Sequence, residues 1–267
     1  MRQFRMGRGC AAIAVGLAIA SGAEADIVGF VPGTYAYNRD AADVGSPPVL
    51  GDGFIQLTTG RDQRRSIFFT TPQDITEFTA SFTYRAESIG ASGNDQGLTF
   101  VLQNDAAGSA ALGDSLRNLF GPYGLGYQGI APSAAVTIAT NTGPAKTYSG
   151  FFSGGILGGG SSETTPVNTF DGNDIRVTLE YAASVLDVHM TDLETGASFQ
   201  RSLLVGTLSS LVGGSTAYVG FTASTGGGAS SGGANQFLSD FVFTVPEPAS
   251  LLSLSMLAVA SLRRRAA

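Results

Sequence analysis

The chain has 267 residues, with 15 basic against 21 acidic side chains, one cysteine, one histidine and no tryptophan. A net charge of −6 argues against a nucleic-acid partner, which needs a basic footprint for the phosphates. A lone cysteine leaves no disulfide framework and no cysteine metal site, and 37 glycines suit a chain of many turns better than a helical one.

The chain opens MRQFRMGRGCAAIAVGLAIASGAEA. Arg2, Arg5 and Arg8 form a positive leader, an apolar run starts at Cys10, and Ala23-Glu24-Ala25 supplies the small residues a signal peptidase needs. Residues 1–25 therefore read as a signal peptide, cleaved after Ala25. Gly7-Arg8-Gly9 is not an apolar lipobox, so Cys10 reads as filler that leaves with the leader. Residues 26–245 remain, enough for one large domain of an all-β fold or at most two small ones.

Period-two alternation then recurs along the chain. In TEFTASFTYRA, Phe78, Ala80, Phe82 and Tyr84 share one face, with Thr79, Ser81, Thr83 and Arg85 on the other. DIRVTLEYA sets Ile175, Val177, Leu179 and Tyr181 against Arg176, Thr178 and Glu180. In SVLDVHMTD, Leu186, Val188 and Met190 alternate with Asp187 and His189. Ala182-Ala183 and the DLETG stretch, with Gly196 suited to positive φ, are the expected hairpin turns. Further strands fit at 54–59, 66–70, 97–103, 133–140, 198–204, 216–223 and 237–245, and only 107–119 carries a helix-like stripe. Many short antiparallel strands without βα alternation predict a β-sandwich. SGGILGGGSS (153–162) and STGGGASSGGAN (224–235) read as glycine loops at its rim.

The chain ends VPEPASLLSLSMLAVASLRRRAA. The apolar stretch 249–262 reaches about 21 Å as a helix, short of the ~30 Å hydrocarbon core. Arg263, Arg264 and Arg265 would stay cytoplasmic, leaving the rest of the chain outside. Pro246-Glu247-Pro248, the short span and the arginine cluster resemble the PEP-CTERM sorting signal of exopolysaccharide-producing Gram-negative bacteria. That resemblance implies transient anchoring in the inner membrane, cutting near Pro246 by an exosortase-type transpeptidase, and delivery to the outer surface or matrix. Without both ends, nine basic and nineteen acidic residues give a balance of −10.

The stretch GLTFVLQNDAAGSAALGDSLRNLFGPYGLGYQGIAPSAAVTIAT (97–140) resembles a bacterial L-type, legume-lectin-like domain. The flanking strands match in order, from about Phe30 to Thr244. The resemblance implies a concanavalin-like jelly roll that associates with exopolysaccharide or cell-surface glycans. It places sugar contacts at Asp95 or Gln96, at Gly124, at Asn141, and at Thr225 and Gly226. Which of Asp95 and Gln96 takes the place of the family's sugar-binding aspartate stays open. The family's metal-ligand strand reads Val-Glu-Phe-Asp-Thr, whereas here Val136-Thr137-Ile138-Ala139-Thr140 stands. No Asp or Glu occurs from Ala131 to Gly160, and calcium needs carboxylates among its oxygens, so no metal and no cofactor are expected. The paired-carboxylate pattern of sandwich glycosidases is missing, and His189 sits on an outward face, so no enzyme activity is expected. The alternative to a lectin is a structural matrix or adhesion protein that keeps the fold without a working sugar site.

Overall fold

A computed structural model describes residues 26–41, 43, 49–51, 53–89, 97–114, 124–141, 146–169, 171–226 and 233–246. The signal-peptide segment, Glu247, Pro248 and the arginine cluster lie outside these residues, as do Asp95 and Gln96. Among the described residues no helix is long and apolar enough to cross a membrane.

Two antiparallel sheets of eight strands stack face to face, the predicted sandwich. The back sheet runs β14 (Ser198–Leu204), β13 (Val185–Asp192), β12 (Ile175–Ala182), β7 (Phe78–Ile89), β16 (Gly233–Thr244), β4 (Phe54–Gly60) and β3 (Val49–Gly51). The short β1 (Ile27–Val28) pairs with the end of β16. The front sheet runs β11 (Ile156–Thr165), β10 (Lys146–Ser153), β9 (Ser133–Asn141), β8 (Gly97–Gln103), β15 (Thr216–Ser224), β5 (Arg64–Phe69) and β2 (Tyr35–Arg39). Here β6 (Gln73–Asp74) joins β15.

The alternating faces read from the sequence become the faces of the back sheet. Phe78, Ala80, Phe82 and Tyr84 are buried against Ile175, Val177, Leu179 and Tyr181, and Leu186, Val188 and Met190 extend the same layer. Phe221 of the front sheet meets Phe82 and Phe241 edge-on, each with ring centroids 5.0 Å apart. With neither tryptophan nor disulfide, these phenylalanines supply much of the buried apolar area that drives folding.

The front sheet differs because it is covered on both sides. Residues 104–114 and 124–132 fold back over its outer face, and Phe68, Val101, Ala135 and Phe152 pack there against Ala111, Tyr127 and Ile130 as a second, smaller core. Every residue of β8 is consequently buried, which is why GLTFVLQ shows no alternation.

Three expectations are corrected. SGGILGGGSS is not a loop: Gly154-Gly155 form a turn and 156–165 form the edge strand β11, opposite β10. The helix-like stripe at 107–119 yields only a 3₁₀ turn at Gly108–Ala110, the part from 115 lying outside the described residues. The β12–β13 turn falls one residue later than expected, at Ala183-Ser184, whose φ values of 49° and 69° match the mirror-image turn that suits strand twist. The only α-helix among the described residues is α1 (Leu208–Val212), which buries Leu208 and Val212.

Asp192 closes β13 and staples the next turn. Its carboxylate accepts from Asn173 Nδ2 at 3.0 Å and from the amides of Glu194 and Thr195 at 3.0 and 2.8 Å. Burial acts to raise its pKa, but the bonds from Asn173, Thr195 and Glu194 outweigh burial and hold it below the ordinary 3.8. A depressed carboxylate stabilises the fold above its unfolded value, and that contribution fades as pH falls from about 4 through the folded value. Urea unfolding from pH 6 to pH 2 should show Asp192→Asn losing less stability on acidification than the wild type. Parallel pH profiles for the two would contradict this role.

Candidate functional site

Four segments meet at one end of the front sheet. Ala139 of β9 pairs with Gly97, where β8 begins, and Gly97 pairs with Ser224, where β15 ends. Ser224 in turn pairs with Arg64, the first residue of β5. The sheet therefore brings the ends of β9, β8 and β15 and the start of β5 into one row.

The fold-back segment crosses the same end. A Cβ on Gly126 would lie 3.1 Å from the Ala223 carbonyl oxygen and 3.2 Å from that of Arg65, so the crossing is backbone against backbone. Leu125 Cδ2 would lie 3.2 Å from a Cβ on Gly97. Gly124 is buried, and its carbonyl accepts from the amides of Tyr127 and Gln128 at 2.7 and 2.9 Å. Its φ is not in the left-handed region; glycine is required because a Cβ would lie 2.1 Å from the Asp114 carbonyl oxygen.

Thr225 and Gly226 continue from β15 and are tied to the β4–β5 turn. The Thr225 amide donates to the Gln63 carbonyl at 2.9 Å, and the Gln63 amide donates to Thr225 Oγ1 at 3.1 Å. Asp62 donates its amide to the Gly226 carbonyl at 3.1 Å. Thr225 and Gly226 are both buried, so they shape the rim from beneath.

Charged groups sit beside this row. Arg64 Nη1 donates to Asp114 Oδ1 at 2.7 Å, and Arg64 Nη2 donates to Asp40 Oδ2. The Asp40 and Asp114 side chains remain 32% and 39% exposed. Carboxylates held by an arginine at a surface accept strong hydrogen bonds from hydroxyl donors, and their orientation is fixed in advance. Sequence reasoning missed this cluster. Asp114 lies 50 residues from Arg64 in sequence, and no local pattern joins them.

The sequence-derived residues divide accordingly. The segments carrying Gly124, Thr225 and Gly226 reach this rim, and Asn141 ends β9 two residues beyond Ala139, opposite Lys146. Asp95 and Gln96 lie outside the described residues, directly before Gly97. Pro246 is exposed just after β16. Asp187 accepts from Ser202 Oγ, while His189 stands opposite Gln200 and Thr178, so the serine hydroxyl is directed at the carboxylate and not at the imidazole.

The positions matched to a metal-ligand strand do not suit a cation. Thr137 is buried, with Oγ1 3.4 Å from the Gly150 carbonyl to which it donates, and Ala139 has no ligand atom. Among the described residues no three His, Cys, Asp or Glu side chains cluster in a way that could hold a metal ion.

No family model and no curated protein sequence matches the chain. Its fold does match solved structures. Lectin II from Ulex europaeus superposes with a TM-score of 0.62 at 18% identity, over 83% of this chain and 98% of that one. Arcelin-5, a lectin-like defense protein from Phaseolus vulgaris, gives 0.61 at 14% identity, over 82% and 96%. The Lotus tetragonolobus seed lectin gives 0.59 at 16% identity, over 84% and 100%. The chain has the legume-lectin jelly-roll fold.

Proposed function

We propose, from this fold and the rim it builds, that the protein is an exported, non-enzymatic lectin-like module that associates with exopolysaccharide or cell-surface glycans without a metal ion. The observation that carries the reading is the convergence of the 124–126 crossing, Thr225-Gly226, the start of β8 and the Arg64–Asp40–Asp114 cluster on one sheet end. Pre-set carboxylates and a guanidinium beside a strand edge suit the vicinal hydroxyls of a sugar. The competing reading, a matrix or adhesion protein without a working pocket, draws on the burial of Gly124, Thr225 and Gly226.

Orientation supports surface display. β16 begins near the rim, where Gly233 pairs with Ile89, and ends at Thr244 beside Thr79, ~36 Å away at about 3.3 Å per residue. The tail therefore leaves from the end opposite the rim, and β1 holds the start of the domain at that far end too. A chain held at its C-terminus by the PEP-CTERM-like segment would point the rim away from the membrane.

The test is polysaccharide pull-down and glycan-array binding by wild type, Gln96→Ala, Asp95→Ala and Asp114→Ala, with and without a chelator. Loss of one charged hydrogen bond should weaken retention about tenfold for Asp114→Ala, and chelation should leave wild-type binding unchanged. Binding that no rim variant alters, or no binding at all, would favour the matrix reading. Chelator-sensitive binding would contradict the metal-free site. Export is tested by mass: surface-recovered protein should lack residues 1–25, and an intact chain confined to the cytosol would sink that half of the proposal.

A further inference from the structure

The outer face of the back sheet, on the other side of the sandwich from the rim, carries a groove that the rim does not use. Three neighbouring strands and the entrance to β12 line it with Phe54, Thr83, Arg85, Asp174, Phe237 and Ser239, around a volume of about 230 Å³. Register explains the grouping. Phe237 stands opposite Arg85, while Ser239 stands opposite both Thr83 and Phe54. Asp174 immediately precedes Ile175, the partner of Tyr84.

Arg85 is held in an unusual way. Its guanidinium carbon sits 4.7 Å from the Phe237 ring centroid, so the fork lies against an aromatic face. Nε is buried and makes no hydrogen bond, with Glu87 Oε1 at 3.5 Å, and Nη1 stands 3.9 Å from Asp174 Oδ1. Those separations are long for hydrogen bonds, and the side chain is 39% exposed. The groove thus presents a positioned donor fork, the Asp174 carboxylate a few ångströms away, and the rings of Phe54 and Phe237, while the Thr83 and Ser239 hydroxyls donate to Asp240 Oδ2 at 2.9 and 3.2 Å and are left to a ligand as acceptors.

We propose that this groove is a second glycan contact that takes one pyranose ring of a neutral polysaccharide. Adjacent hydroxyls of a sugar would bridge Arg85 and Asp174, while the ring's C–H face packs on Phe54. Charge selects the class: Arg85 and Arg176 stand against Asp174, Glu87 and Asp240, so the groove has no positive excess, and the domain's balance of −10 repels polyanions. Size agrees, because the volume is below the roughly 300–1,000 Å³ of pockets for drug-sized ligands. Two contacts, one at the sheet end and one on the back face, would make each molecule a cross-linker whose avidity exceeds either contact alone. The inference rests on the glycan-binding reading but uses different residues.

The test uses the full-length protein with a panel of soluble neutral glucans, mannans and galactans and a polyuronate control. Oligosaccharide affinity is read by calorimetry and polysaccharide cross-linking by turbidity. Arg85→Lys keeps charge and stem but loses the planar fork, so it guards against misfolding; Phe54→Ala removes the aromatic wall. Both should weaken one class of binding about tenfold and abolish turbidity, with rim binding intact. Asp114→Ala should weaken the other class and likewise abolish turbidity, with groove binding intact. If both back-sheet variants cross-link like wild type while Asp114→Ala fails, this proposal falls and the rim stands. A preference for the polyuronate would overturn it. So would sedimentation as a dimer that Arg85→Lys dissolves, since the groove would then hold a second copy of the chain.

Discussion

Asp43→Ala should cost about 3–5 kcal/mol in urea unfolding, because it strands a positive charge inside the sandwich. Arg65 is on the inward face of β5, two residues before Ile67, and is fully buried. Its Nε donates to Asp43 Oδ2 at 2.6 Å, Nη2 to Oδ1 at 3.1 Å, and Nη1 to the Leu57 carbonyl of the back sheet at 3.1 Å. The Tyr37 ring lies 5.9 Å from the guanidinium carbon, and burial pushes its hydroxyl up to about 12. The bidentate pair has its geometry satisfied, so removing one partner leaves the whole desolvation cost of the other. The double variant Asp43→Ala, Arg65→Met should recover most of the loss, since an apolar side chain of similar reach suits this layer. A single variant within about 1 kcal/mol of wild type would show that the pair is solvated and not buried.

Gly124→Ala should abolish binding at the rim while leaving the two sheets intact. The added Cβ would fall 2.1 Å from the Asp114 carbonyl oxygen and 2.8 Å from its carbon, and backbone cannot swing aside as a side-chain end can. Asp114 is the residue that Arg64 holds at the rim, so the crossing segment and the charged cluster must shift together. Overpacking of this kind costs about 1–3 kcal/mol, enough to displace a surface segment without unfolding a core built on Phe82, Phe100, Phe221 and Phe241. Gly129→Ala is the control for backbone strain alone: its φ of 94° disfavours alanine, but a Cβ there meets nothing within 4 Å. Glycan retention and thermal unfolding measured side by side decide the matter. Wild-type retention by Gly124→Ala would mean that the crossing segment does not shape the contact.

The back sheet was legible because one of its faces is wet. At 78–85, 175–182 and 185–192 the alternation names the buried apolar side chains one by one. The front sheet was harder to read: β2 and β10 carry no clean period, and the glycine run at 156–165 resembles a loop yet extends as an edge strand. The candidate site was half legible. Its glycines and Thr225 follow from the resemblance, but the Arg64–Asp40–Asp114 cluster and the Arg85 groove follow only from register.

The amino-acid order alone determined the two-sided strands and the all-β class, since each depends on neighbours a few residues apart. Tertiary structure decided the rest: which strand lies beside which, that Arg65 is neutralised by Asp43, and that residues 104–114 and 124–132 roof the front sheet. Period two tells a strand which side is apolar but not which strand to pair with. Pairing and charge compensation are settled by contacts between residues tens to hundreds of positions apart, where no local pattern leaves a trace.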